Sequence, residues 1–190
     1  WWHAKRNPDR EMDGEQTASK LLGSAIHSAV LEPDLFPSEY VSVPDDAPRR
    51  PTDRQVNAKK PSADTMDAIA WWRDFEIANT GKELLKPEQY ATALAVRDAV
   101  RRHPIARTLF TGGRAEQSVH AVDPETGEHI KCRFDYLSGM AVDLKSCDDA
   151  SPAGFGRASF NFSYYLQPPW YFDVMNAAFG EAPPVWVFVA

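Results

Sequence analysis

Three side chains in the last third of the chain can do chemistry together: Asp135, Asp143 and Lys145. Asp143 and Lys145 are two apart in the apolar run Ala141-Val142-Asp143-Leu144-Lys145, which reads as a strand, so both point to one face. Asp135 ends the preceding strand-like stretch, and Ser138-Gly139 supplies the turn between the two. Neighbouring strands lie about 4.8 Å apart, so Asp135 and Asp143 converge at one end of a sheet with Lys145 beside them. Glu116, on the strand before, can join from the far side. Carboxylates this close cannot all remain ionised without a cation, and hard oxygen donors select Mg²⁺ or Mn²⁺, as one ion or two. An ion there acidifies water and polarises a phosphoryl oxygen, while the Lys145 ammonium orients the attacking water or offsets transition-state charge. The Leu144 side chain belongs to the core, which leaves its backbone carbonyl as a further metal donor. An Asp-x-Lys triplet alone is commonplace on surface strands. Two charged residues facing inward from a half-buried strand need a partner, and the hairpin that delivers Asp135 provides the reason.

The rest of the chain must hold these residues. Helical periodicity runs from about Lys20 to Leu31, with Leu22, Ile26 and Ala29 on one face, and Glu32-Pro33 ends it. Residues 33–61 are rich in Pro, Asp and Arg and read as a long, mobile loop, in which Glu39–Val43 can pair with a sheet edge. A second helix spans Ser62 to Asn79, and a third opens at Pro87 and ends before His103-Pro104. A further helical turn follows through Phe110. After Gly112-Gly113 the period becomes that of strands. Ala115–Ala121, Glu128–Tyr136 and Met140–Ser146 form an antiparallel meander, with turn chemistry at Asp123-Pro124-Glu125-Thr126-Gly127. Ile130, Cys132 and Phe134 share one face. Helical segments follow from Ser151-Pro152 and after Tyr164, and Val185–Val189 reads as a last strand buried on both faces.

These elements make one α/β domain over residues 1–190: a helical part at 1–110 with the loop 33–61, then a core with a mixed central sheet at 111–190. A start without Met and an end inside an apolar run suggest residues missing at both ends, with the core truncated at the C-terminus. Hydrophobic residues are 43% and charged residues 25%, ordinary for a globular chain. No apolar run approaches the roughly 20 residues of a membrane span, and no secretory signal is visible at Trp1–Arg6, so a cytoplasmic setting without membrane contact is expected. Cys132 and Cys147 alone make neither a zinc ribbon nor a disulfide framework. The net charge of −6 does not mark a nucleic-acid binder, but basic clusters stand at Lys5-Arg6, Arg49-Arg50, Arg54, Lys59-Lys60, and Arg97, Arg101, Arg102 and Arg107.

The pattern Asp135…Asp143-Leu144-Lys145 resembles the PD-(D/E)xK nuclease signature, and the wider chain is similar to the RecE-type, exodeoxyribonuclease VIII branch of that superfamily. Carrying the resemblance are Gly23-Ser24-Ala25-Ile26-His27, Val30-Leu31-Glu32-Pro33, Glu116-Gln117-Ser118, Asp123–Gly127, Lys131–Leu137, Val142–Ser146 and Tyr164–Gln167, in that order. It implies a restriction-endonuclease-like core with helices flanking the sheet and an N-terminal helical extension. It further implies that His27, Asp135 and Asp143 bind metal with the Leu144 carbonyl, that Lys145 is the catalytic lysine, and that Glu116 serves a second metal or its water. Gln167 then holds the site or touches DNA. Phe134 stands where the family often has Pro, the second carboxylate is Asp rather than Glu, and Pro168-Pro169 follow Gln167 where the family helix usually lacks prolines.

The activity implied is Mg²⁺-dependent degradation of linear double-stranded DNA, 5′-to-3′, in recombination. The implied partners are DNA ends, further copies in a trimeric or tetrameric ring, and a single-strand annealing protein. Other readings of the same site are an endonuclease or a Cas4-like end trimmer, a non-catalytic DNA-binding module, and a hydrolase of small phosphoesters. Two cysteines are too few for the iron–sulfur cluster of Cas4-like proteins.

Overall fold

A computed structural model describes residues 17–190, so the Lys5-Arg6 cluster lies outside the described residues. Helix α1 (Ala18–Leu31) opens at Thr17, whose hydroxyl accepts from the Lys20 amide at 3.3 Å. That bond satisfies one of the first-turn amides that a helix leaves unpaired. Ala25, Ile26 and Ala29 form the buried stripe of α1, which lies against α5 (Pro87–Arg102) and its buried Ala93.

The expected mobile loop at 33–61 is instead a fastened segment. It carries a short helix α2 (Phe36–Glu39), strand β1 (Tyr40–Ser42) and a one-turn helix α3 (Asp53–Val56). Helix α4 (Ala63–Ala78) holds it. The Trp72 indole donates to the Pro48 carbonyl at 2.9 Å, and Arg50 lies over the Trp72 ring while pairing with Glu76. Strand β1 pairs in parallel with β2 (Glu83–Leu85), a strand with no signal of its own in the sequence, rather than with the main sheet. A short helix α6 (Ala106–Leu109) leads to the main sheet.

That sheet has the order β3 (Arg114–Val122), β4 (His129–Leu137), β5 (Ala141–Leu144), β6 (Trp186–Val189). The first three strands form the expected antiparallel meander, and β6 adds in parallel to β5. In the β3–β4 turn the Asp123 carboxylate accepts from the amides of Glu125 and Thr126, and Gly127 takes φ 72°. The crossover from β5 to β6 runs through α7 (Pro152–Asn161), a 3-10 turn (Tyr164–Leu166) and α8 (Gln167–Phe179). Pro168 and Pro169 lie in the first turn of α8, where a missing amide hydrogen costs nothing. Strand β6 is half-buried at the sheet edge, not buried on both faces as expected.

Two apolar clusters flank the sheet. One joins α1, α2 and α5 to Tyr136, Val142 and Leu144; the other sets Val174 of α8 against Val119, Cys132, Phe134 and Ala141. This is a mixed α/β architecture with helices around a mixed sheet. No helix among the described residues is long and apolar enough to cross a membrane. Cys132 and Cys147 are free thiols, the first buried and the second exposed.

Regular strand geometry fails at one place. Strand β4 pairs with β3 on both sides of Asp135, but Asp135 and the opposite Glu116 do not pair, and Glu116 has φ 51°, in the left-handed region. Alternation places Phe134 and Tyr136 on one face, yet Phe134 packs into the α8 cluster and Tyr136 into the α1 cluster. On β3, Val119 and Ala115 divide in the same way. Strands β4 and β5 pair only at Tyr136↔Val142 and Leu137↔Ala141 and then part. The sheet opens at Asp135.

Candidate active site

The opening is where the chemistry-bearing residues meet. Once β4 and β5 part, the Leu144 amide has no strand carbonyl on that side. The Asp135 carboxylate takes its place, accepting from Leu144 N at 2.8 Å. Across from it stands α1, whose His27 Nδ1 is 3.7 Å from the same Asp135 oxygen. Glu116 completes the group from β3: donor atoms of His27, Glu116 and Asp135 all lie within 4.8 Å of one another. Arg133 Nε sits 2.6 Å from Glu116 and partly offsets its charge.

Asp143 stands beside this group rather than inside it. It is 2% exposed, and one oxygen accepts from the Gln167 amide at 3.1 Å while the other is 2.7 Å from Lys145 Nζ. That second oxygen is buried, and the ammonium is what meets it there. Gln167, the first residue of α8, also approaches the Tyr171 hydroxyl at 3.4 Å. Lys145 lies just past β5, where its amide still donates to Val189 at 2.8 Å, and its Nζ is 4.7 Å from the centre of the Tyr164 ring. The Leu144 side chain is buried in the α1 cluster, and its carbonyl lies close enough to His27 to favour the protonated ring.

Crowding shows in the proton affinities. Asp135 and Asp143 are each pushed up from 3.8 to about 6, first by burial. For Asp135 the Leu144 amide and Lys145 work against that rise; for Asp143 the charge of Asp135 adds to it. Burial pulls His27 below its ordinary value, against the pull of Glu116 and Asp143, so near neutral pH its imidazole has a free nitrogen lone pair. One imidazole nitrogen with two or three carboxylates is a donor set that a divalent metal ion can use. Negative charge that burial leaves undercompensated is what a cation would relieve. The residues present therefore fit a divalent ion.

The PDDEXK-like domain of unknown function (DUF3799) matches residues 2–190. The chain belongs to that family. No curated protein matches it. PDDEXK-like domains are of nuclease type, and nucleases of this type generally use divalent metal ions, in keeping with the His27, Glu116 and Asp135 group.

The structure of this PDDEXK-like domain brings together all seven residues singled out in the sequence, from the five elements α1, β3, β4, β5 and α8 and the residue that follows β5. The grouping differs in one respect. The sequence pairs Asp135 with Asp143 as the central ligands and sets Glu116 apart; the fold puts Glu116 next to His27 and Asp135, with Asp143 tied to Lys145 and Gln167. Arg133 and Tyr164 are additional neighbours. Arg133 was legible as the residue two before Asp135 on the same strand. Tyr164 sits on a 3-10 turn with no periodic signal.

Proposed function

We propose that this domain is a Mg²⁺-dependent deoxyribonuclease, with Mn²⁺ an alternative ion, that hydrolyses phosphodiester bonds at the ends of linear double-stranded DNA. The observation that carries the reading is the Lys145 ammonium, 2.7 Å from a buried aspartate and beside the His27, Glu116 and Asp135 group. His27, Glu116 and Asp135 would hold the ion, with Asp143 and the Leu144 carbonyl next to it. When bound, the ion supplies Lewis acidity and a lowered pKa for water.

The chain's own residues do the rest. Lys145 places positive charge where a phosphoryl oxygen gains negative charge, in a spot screened from water by Tyr164 and Phe188. Gln167 holds Asp143 by one oxygen and leaves the other to Lys145, which fixes the ammonium's direction. A cleft of about 400 Å³ is lined by Arg97, Arg101 and Arg107 together with Ala115 and Tyr136, which precede Glu116 and follow Asp135 in the chain. Those guanidiniums suit a phosphate backbone better than a small ester.

The resemblance to RecE-type enzymes supports 5′-to-3′ exonuclease action for recombination, in the cytoplasm, by a homo-oligomeric ring with a single-strand annealing partner. The test is incubation with linear and nicked-circular DNA, in Mg²⁺ or chelator. Linear DNA alone should disappear, and only with Mg²⁺. Lys145→Ala should slow cleavage by about 10²- to 10³-fold while leaving DNA binding intact. Undiminished cleavage by Lys145→Ala, or cleavage in chelator, refutes the assignment.

A further inference from the structure

A row of aromatic rings leads away from Lys145. The Tyr164 ring under its ammonium stacks on Phe162, with centroids 5.7 Å apart and planes 23° from parallel. Phe162 is 69% exposed, so most of its ring faces solvent. Ser163, between the two rings, has φ 56°, a left-handed conformation that a non-glycine residue adopts only against a steric penalty. That bend lets residues 162 and 164 set their rings face to face. The same stretch exposes Phe160, Tyr165, Leu166 and Trp170, and Gln167 in its midst is hydrogen-bonded to Asp143.

So many large apolar side chains on one exposed stretch need a reason. The stretch is mainly aromatic, its stacked pair is continuous with the group that meets the scissile phosphate, and its anchor to the site is a single amide. Flat rings receive nucleobases of any sequence, because every base has a π-face. Stacking also adds affinity that a chain of net charge −6 does not draw from overall charge. We propose that this row is a stacking platform for unpaired bases next to the bond being cut, so that the preferred substrate is a DNA end that is frayed or already single-stranded. The proposal rests on the nuclease reading for its substrate.

The test is fluorescence anisotropy with short end-labelled single-stranded and duplex DNA, in chelator so that nothing is cleaved, on the wild-type chain and on Phe162→Ala, Phe162→Leu and Phe162→Trp. The first two should weaken single-strand binding roughly tenfold, Phe162→Trp should restore it, and duplex binding should change less. Leu keeps apolar bulk without a stacking face. Wild-type affinity in Phe162→Leu therefore overturns the proposal. So does an oligomer, seen by sedimentation, that Phe162→Asp disperses with no change in single-strand affinity, since the patch is then a contact between copies. Phe162-dependent binding in a chain that cleaves no DNA with Mg²⁺ keeps the platform and removes the nuclease reading. Normal cleavage with a silent Phe162→Leu does the reverse.

Discussion

Asp135→Asn should make the metal-free domain more stable and the Mg²⁺-containing domain relatively less so. The Asp135 carboxyl is raised from 3.8 to about 6, mainly by burial. Each unit of such a rise is worth about 1.4 kcal/mol, so the ionised group burdens the metal-free fold by about 3 kcal/mol near neutral pH. Asparagine removes the charge, keeps an oxygen for the Leu144 amide, and relieves Asp143, whose own proton affinity Asp135 raises. Part of the gain is lost in burying an amide, which leaves about 1–3 kcal/mol, or a rise in Tm of about 2–12 °C for a chain of this size. With Mg²⁺ the difference should shrink and, where the metal-free gain is well below about 2.7 kcal/mol, reverse. The wild type gains about 2.7 kcal/mol at a concentration 100 times Kd, and the variant, short of one donor, gains much less.

The pH dependence has a definite sign. Both buried aspartates have folded pKa values of about 6 against an unfolded value near 3.8, so the folded metal-free chain keeps protons that the unfolded chain releases. Stability in chelator should therefore fall as pH rises from about 4 to about 6 and flatten above about 7. Asp123 and Asp149 shift downward, but at the surface and at lower pH, and the lowered His27 works the other way below about 6.5 as one group against two. Asp135→Asn should flatten the slope in that window. Thermal unfolding by circular dichroism, in chelator and in Mg²⁺ across that range, decides the matter. A variant less stable than wild type in chelator, or an equal Mg²⁺ effect on both, refutes the account.

Two further outcomes follow from local geometry. A Cβ on Gly113 would lie 2.3 Å from the Leu137 carbonyl and 2.8 Å from the Tyr136 ring, so Gly113→Ala should lower stability by about 1–3 kcal/mol, read as a lower urea midpoint with an unchanged m-value. Replacing Arg101 and Arg107 with Ala should weaken DNA binding about equally for all sequences and make the slope of log affinity against log salt shallower by about 1 for each phosphate that a guanidinium no longer neutralises. An unaltered salt slope would show that the arginine-lined cleft stays off the DNA path.

The parts of the molecule that follow a period were legible. Helices α1, α4 and α5 bury stripes that recur every three or four residues, and the meander shows as alternation broken by Gly and Asp-Pro turns. Asp143 and Lys145 were legible because charge inside an apolar strand has few explanations. What escaped depends on contacts distant in sequence. Strand β2 is three residues that form a strand only because β1 lies alongside. Residues 33–61 look unstructured until α4 presents Trp72 and Glu76 to them. Strand β6 reads as doubly buried because Trp186, Val187 and Phe188 are apolar, yet as the last strand of the sheet it has one open edge.

The split between the Asp135 and Asp143 environments was beyond alternation altogether, since it accompanies the left-handed residue Glu116 and the parting of β4 and β5. A flat, fully paired β3–β4–β5 ladder would bond the Leu144 amide to a strand carbonyl and leave the Asp135 carboxylate with no structural work. Because the strands part, a buried amide is left without a strand partner, and such a group must find another acceptor. The carboxylate of Asp135 is that acceptor, so one side chain closes the backbone accounting of the sheet and presents its charge to His27 and Glu116. The acceptor role needs only an oxygen, whereas the metal role needs the charge. Asparagine meets the first requirement and fails the second, which is why one substitution can separate how the domain folds from what it does.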